Sequence, residues 1–178
     1  MLNPWIRTYS GINFHPFSPN DIEISFNDIA HALSNICRFC GHTSEFYSVA
    51  QHSVMASRLA SKENALFALL HDAAEAYICD LSSPIKNTPD FENFRILEDT
   101  ILSAILKMVG LKLPMPTEIK YIDAILLKTE ARDLLMCGPD VQFGPDSAPF
   151  LEDRITPWSP KVAKQAFISR FLALAPEL

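Results

Sequence analysis

A chain of 178 residues, 48% of them hydrophobic, can bury a core of its own and fits a single domain over 1–178. With 21 acidic against 15 basic side chains, a net charge of −6 and no Lys/Arg cluster, it is a poor match for duplex nucleic acid, whose binding depends on neutralised phosphates. Met1–Arg7 lacks a secretory apolar stretch, and no apolar run approaches the roughly 18 residues of a membrane span, so a cytoplasmic protein without a membrane partner is expected.

Residues 4–26 contain two short alternating segments, Thr8–Phe14 and Asp21–Phe26, broken by Gly11, Pro16 and Pro19. They predict a small β-ribbon, within residues 1–26, lying on a helical body. Asn27 or Asp28 is a good N-cap for a first helix in which Ile29, Leu33 and Ile36 recur until Gly41. Cys37 and Cys40, inside that stretch, have Cys-x-x-Cys spacing. Cys79 and Cys137 make no second such pair and no strand leads into the motif, so neither a disulfide framework nor a zinc or redox role is expected of these thiols.

Ser44 is the predicted cap of a second helix reaching Ala60, with Phe46, Val49, Ala50, Val54 and Leu59 apolar and His52 at its middle. A third helix runs from Lys62 to Ile78. The Pro-punctuated Leu81–Pro89 loop should then lie at the mouth of any site that helix builds. A fourth, Phe91 to Val109, presents Ile101, Leu102, Ile105, Leu106 and Val109 and stops at Gly110. A fifth spans Thr117 to Met136. Residues 137–157, rich in Gly, Pro and Asp, predict a surface excursion, and a last helix from Pro160 to Leu174 closes an all-α bundle.

Leu69–Tyr77 in the third helix gathers the chemistry. At about 3.6 residues per turn, His71 and Asp72 both lean toward Glu75, while Leu66, Leu69, Leu70, Ala73 and Ala74 pack the other side. A polar trio half buried in this way needs a partner, and a divalent cation is the simplest; the alternative is a solvent-facing polar stripe. His52, the His71–Asp72 pair and Asp123, on three helices, add up to two imidazoles and two carboxylates, a set suited to Mn, Fe, Co, Ni or Zn.

In Val49-Ala50-Gln51-His52-Ser53, His71-Asp72-Ala73-Ala74-Glu75, Asp80 and Asp123-Ala124 the chain resembles the HD-domain phosphohydrolases, above all their bacterial and phage 5'-deoxynucleotidase-like members. The likeness runs from Tyr9-Ser10-Gly11 to Arg132-Asp133-Leu134. It implies an HD-domain helical bundle in which His52, His71, Asp72 and Asp123 ligate one divalent transition metal. Glu75 would then orient or deprotonate the attacking water, and Asp80 would protonate the leaving oxygen or anchor substrate. Arg38-Phe39 stands where those deoxynucleotidases have an arginine followed by a tryptophan. Arg38 would grip phosphate, and the Phe39 ring would press on the sugar without an indole donor. Lys86 is a second phosphate-binding candidate.

His31 could line the pocket but reads better as a core or surface histidine, His42 could cap its turn or contact substrate, and His15 reads as structural. Glu130, Arg132 and Asp133 read as ion pairs holding the fifth helix in register. The expected reaction is removal of the 5'-phosphate from a (deoxy)nucleoside monophosphate through a metal-activated water. Its rivals are a triphosphohydrolase releasing nucleoside and triphosphate, and a phage or prophage module that binds a nucleotide without turning it over. The resembling family often forms homodimers, and the apolar face of the fourth helix is compatible with one.

Overall fold

The computed structural model describes residues 4–136 and 148–176. Gly11, at φ +85°, lets the chain reverse, and Thr8 N–H donates to the Ile12 carbonyl at 2.9 Å across the turn. The reversal pairs β1 (Ile6–Arg7) antiparallel with β2 (Asn13–Phe14). The second segment expected in the ribbon is no strand: Asp21–Glu23 is a 3-10 turn, capped by Asn20, which accepts from Ile22 N–H. Ser10 ties the ribbon down by donating its N–H and hydroxyl to Asp28 at 3.2 and 2.6 Å.

Asp28 lies in α1 (Phe26–Asn35), which Ser25 caps by accepting from Asp28 N–H at 3.3 Å. The predicted cap was one turn too late and the predicted end too late as well. Beyond Asn35 the chain becomes extended: Val49 N–H donates to the Ile36 carbonyl at 3.1 Å and Arg38 N–H to the Tyr47 carbonyl at 2.9 Å. These bonds close residues 37–48 into a loop and leave Ser48, not Ser44, to cap α2 (Val49–Leu59).

The chain continues through α3 (Ala65–Leu70), α4 (Glu75–Ile78), α5 (Ser83–Lys86), α6 (Glu92–Met108), α7 (Thr117–Leu134) and α8 (Pro160–Leu174). α2 is packed by α1, α3, α7 and α8, so even its polar residues Gln51, His52, Ser53 and Ser57 are buried. Several find internal partners, as burial demands. Gln51 donates to the Thr156 carbonyl and accepts from Trp158 N–H, and Ser57 donates to the Ala65 carbonyl while accepting from Arg170.

The single third helix expected over 62–78 is broken. From His71 to Tyr77 the bonds tighten to three-residue spacing, Ala73 to Leu70, Glu75 to Asp72 and Tyr77 to Ala74. His71 contributes to the break, since its ring bonds the Ala68 carbonyl at 2.8 Å, an acceptor an α-helix would offer to Asp72 N–H. α6 buries Ile101, Leu102, Ile105 and Leu106 in the core. It ends at Gly110, whose φ of +74° lets Leu111 N–H reach back to Leu106 at 2.9 Å. No helix among the described residues is long and apolar enough to cross a membrane.

Of the predicted excursion, residues 137–147 and Cys137 with them lie outside the described residues. Residues 148–158 carry no helix or strand and are pinned to α7. Asp133, its side chain 2% exposed, accepts from Arg132, from Arg154 at 2.7 Å and from Ile155 N–H at 2.9 Å. Burial works against the Asp133 charge, yet the bonds from Arg132, Ile155 and Arg154 win and pull it from 3.8 to about 2. A depressed carboxylate stabilises the fold above its unfolded value and loses that contribution as pH falls through its folded value. Asp133→Asn is therefore expected to cost about 2 kcal/mol in urea unfolding at pH 7 and less than half of that near pH 2.5. Equal losses at both pH values would show that the charge is not what holds the segment.

Candidate metal centre

His52 has no exposed surface, and its Nδ1 lies 2.6 Å from Glu130 Oε1. Glu130 is equally buried; burial opposes its charge, but Arg38 and His52 hold it below the usual carboxylate range. An ionised carboxylate only accepts, so Nδ1 carries a proton, and Nε2 is the nitrogen open to an ion or, in the ion-free protein, to a second proton. His71 meets the same condition by another route. Its Nδ1 faces the Ala68 carbonyl at 2.8 Å, again an acceptor, which leaves Nε2 as the nitrogen turned to the centre.

The two Nε2 nitrogens face each other at 3.3 Å. Asp72 Oδ2 is 3.2 Å from His71 Nε2 and 3.6 Å from His52 Nε2, and Asp123 Oδ1 is 3.3 Å from His52 Nε2. Lone pairs and carboxylate charge thus converge from α2, the turn after α3, and α7. Around an ion with bonds of about 2.1 Å, neighbouring donors lie about 3.0 Å apart in octahedral and about 3.4 Å apart in tetrahedral geometry. The observed spacings match, so His52, His71 and Asp72 can hold a metal ion, and Asp123 stands beside them on the solvent side.

The charges respond to this crowding. Burial and the Arg38 charge push the His52 ring down, but Glu130 and Asp123 outweigh them and lift it to about 9. Burial would raise Asp72, yet His71, His52 and Arg38 hold it far below the usual carboxylate range. Glu75 goes the other way: burial, then the Asp72 and Asp80 charges, raise it well above that range. Its Oε2 is buried without a hydrogen-bond partner. Burial raises Asp80 as well, against the pull of Arg38.

Beside the centre opens a cleft of about 580 Å³, lined by Arg38 and Asp80 and walled by Phe39, Pro84, Leu127 and Leu135. Arg38 sits not on the first helix but in the 37–48 loop, where Phe39, Cys40 and Gly41 run through left-handed backbone at φ 54°, 52° and 79°. This costly conformation for Phe39 and Cys40 turns the chain back under the cleft. Cys79, at φ 68° and ψ 162°, takes a different positive-φ conformation just before Asp80. Arg38 donates to Glu130 at 3.1 Å and lies 3.5 Å from Asp72, so it belongs to the centre's own charge network.

Lys86 is engaged elsewhere, with Glu98 of α6 at 2.9 Å. His42 lines the cleft; His31 does not, stacking instead on Tyr9 with centroids 3.7 Å apart. His15 pairs with Glu23 at 3.0 Å. Reading the sequence missed two parts of the centre, Glu130 and Tyr47, whose hydroxyl donates to Glu130 at 2.9 Å. The signal for Glu130 lay in its spacing, two helical turns after Asp123 on the same face of α7.

Because an ion and a proton compete for His52, Co2+ affinity is expected to rise about tenfold per pH unit toward pH 9 and then level off. The ion-free fold behaves oppositely, since the raised ring stabilises it fully below 6.5 and loses that contribution as pH climbs through 9. Co2+ titrations at pH 7, 8 and 9, with melting in chelator, measure both. PH-independent affinity would contradict this arrangement.

No family model matches the chain. It is 43% identical over 171 residues to the uncharacterized protein YfdR of Escherichia coli (strain K12), covering 94% of this chain and 93% of that protein. It is also 32% identical over 147 residues to the uncharacterized protein RCAP_rcc00048 of Rhodobacter capsulatus, covering 75% and 74%. Similarity running nearly end to end at this identity makes the chain a member of the YfdR family.

Proposed function

We propose that this protein is an HD-domain phosphohydrolase that removes the 5'-phosphate from (deoxy)nucleoside monophosphates. The observation that carries this reading is the pair of facing imidazole Nε2 atoms, 3.3 Å apart and joined by carboxylate oxygens, at the side of a cleft that combines one guanidinium with apolar walls. A divalent ion held by His52, His71, Asp72 and Asp123 would supply Lewis acidity toward a phosphoryl oxygen and a water of lowered pKa.

The chain's own groups do the rest. The outer edge of the Arg38 guanidinium receives phosphate oxygens, while Phe39, Leu127 and Leu135 give the nucleoside an apolar bed. Glu75, whose Oε2 has no hydrogen-bond partner, orients the attacking water and, once the charge of a bound cation favours its ionised form, accepts the water's proton. As the water oxygen bonds to phosphorus and the ester bond breaks, Asp80 hands its proton to the departing 5'-oxygen. Among the described residues lining the cleft, Arg38 is the one permanent cation, and Lys86 is held by Glu98. That supply suits a monophosphate better than a triphosphate.

Purified protein supplied with Mn2+, Co2+, Mg2+ or Zn2+ is expected to release orthophosphate and a nucleoside from dAMP, and Asp72→Ala to lower that rate by at least about 100-fold. Full activity in Asp72→Ala would end the proposal. Chromatography with dAMP and dATP in parallel separates it from its rivals. Triphosphate as a product would favour the triphosphohydrolase, and calorimetric binding of dAMP without turnover would favour the binding module.

A further inference from the structure

Glu130 is a buried carboxylate in a helical core, a placement that favours stability only when every lone pair is used. Its oxygens are divided between two jobs. Oε1 accepts from His52 Nδ1–H at 2.6 Å and from the Tyr47 hydroxyl at 2.9 Å, and Oε2 accepts from Arg38 Nε–H at 3.1 Å. One rigid group therefore touches both the ring that faces the candidate ion and the guanidinium that lines the cleft. Burial and Glu130 push the Tyr47 phenol up, so Tyr47 stays a donor and cannot compete for the His52 proton.

We infer that Glu130 is a positioning residue: it locks His52 with the proton on Nδ1 and Nε2 free for an ion, and it sets the spacing between that ion and the anion held by Arg38. The inference rests on the reading that the centre binds a divalent cation. An apolar residue at 130 would fill the same space but would let the His52 ring rotate or change tautomer. Arg38 would then lose its hydrogen bond to Glu130 and keep Asp72 at 3.5 Å. Glutamine can satisfy only one of the two sides: if its oxygen takes His52 Nδ1–H, its amide hydrogens meet the donor on Arg38.

The test uses the full chain, with Co2+ as the metal probe and inorganic phosphate as the anion probe. Glu130→Gln is expected to weaken Co2+ binding about 10- to 100-fold and to shift the visible Co2+ spectrum. It is also expected to weaken phosphate binding to the Co2+-loaded protein, with cooperative unfolding retained. A folded Glu130→Gln protein with unchanged Co2+ affinity and spectrum would overturn the inference. The unmodified protein provides a second readout that needs no variant. Nitrogen NMR of the Zn2+-loaded form is expected to show His52 protonated at Nδ1, and metal on Nδ1 would overturn the inference. If the unmodified protein takes up neither ion, the cation reading itself falls and this inference with it.

Discussion

The Nε2 atoms of His52 and His71 lie 3.3 Å apart in a buried pocket, a spacing that calls for a proton or a cation shared between or beside them. In this protein the facing nitrogens are imposed from behind, by Glu130 on one ring and the Ala68 carbonyl on the other. The rest of the bundle can be understood as the apparatus that keeps those acceptors in place. α2 is packed from all sides, so His52 has little freedom to escape. The tightening after α3 turns His71 and Asp72 toward α2, and α7 contributes Asp123 at the open side and Glu130 behind.

Strain is concentrated where the cleft is built. Phe39, Cys40 and Cys79 adopt positive-φ backbone that ordinary side chains avoid, and each lies next to a group that faces the cleft or the centre. The 37–48 loop tolerates this because its base is bonded to the start of α2 and Ser44 N–H donates to the Leu134 carbonyl at 2.7 Å. The 148–158 segment is likewise tied to α7 through Asp133 and Thr129 and to α2 through Gln51. The two irregular segments thus add rigidity around the helices that carry the candidate ligands.

Much of this was legible in the sequence where a single local rule decides the outcome. Ser159-Pro160 announces the start of α8, Gly110 the end of α6, and the apolar spacing of Ile101, Leu102, Ile105 and Leu106 the face that α6 buries. The His and Asp positions of the centre were readable as candidates from their residue types and from the motif resemblance, and the structure brings His52, His71 and Asp72 together. Decisions between competing local rules were not readable. Several hydroxyls and amides could have capped α1 and α2, and the end of α1 and the choice of Ser48 for α2 were set by the pairing of residues 36–38 with 47–49, a contact between distant positions. The break after Leu70 depends on a side-chain bond that periodicity does not record. Glu130 looked like one more charge on a helix, and only its burial beside His52 and Arg38 shows what it touches.

The most direct measurement is anomalous X-ray diffraction from crystals grown with Mn2+. The expected result is one strong peak bonded to His52 Nε2, His71 Nε2 and oxygens of Asp72 and Asp123, with Glu130 still on His52 Nδ1. A peak away from these four side chains, or none at Mn2+ concentrations that support phosphate release, would contradict the arrangement of the centre.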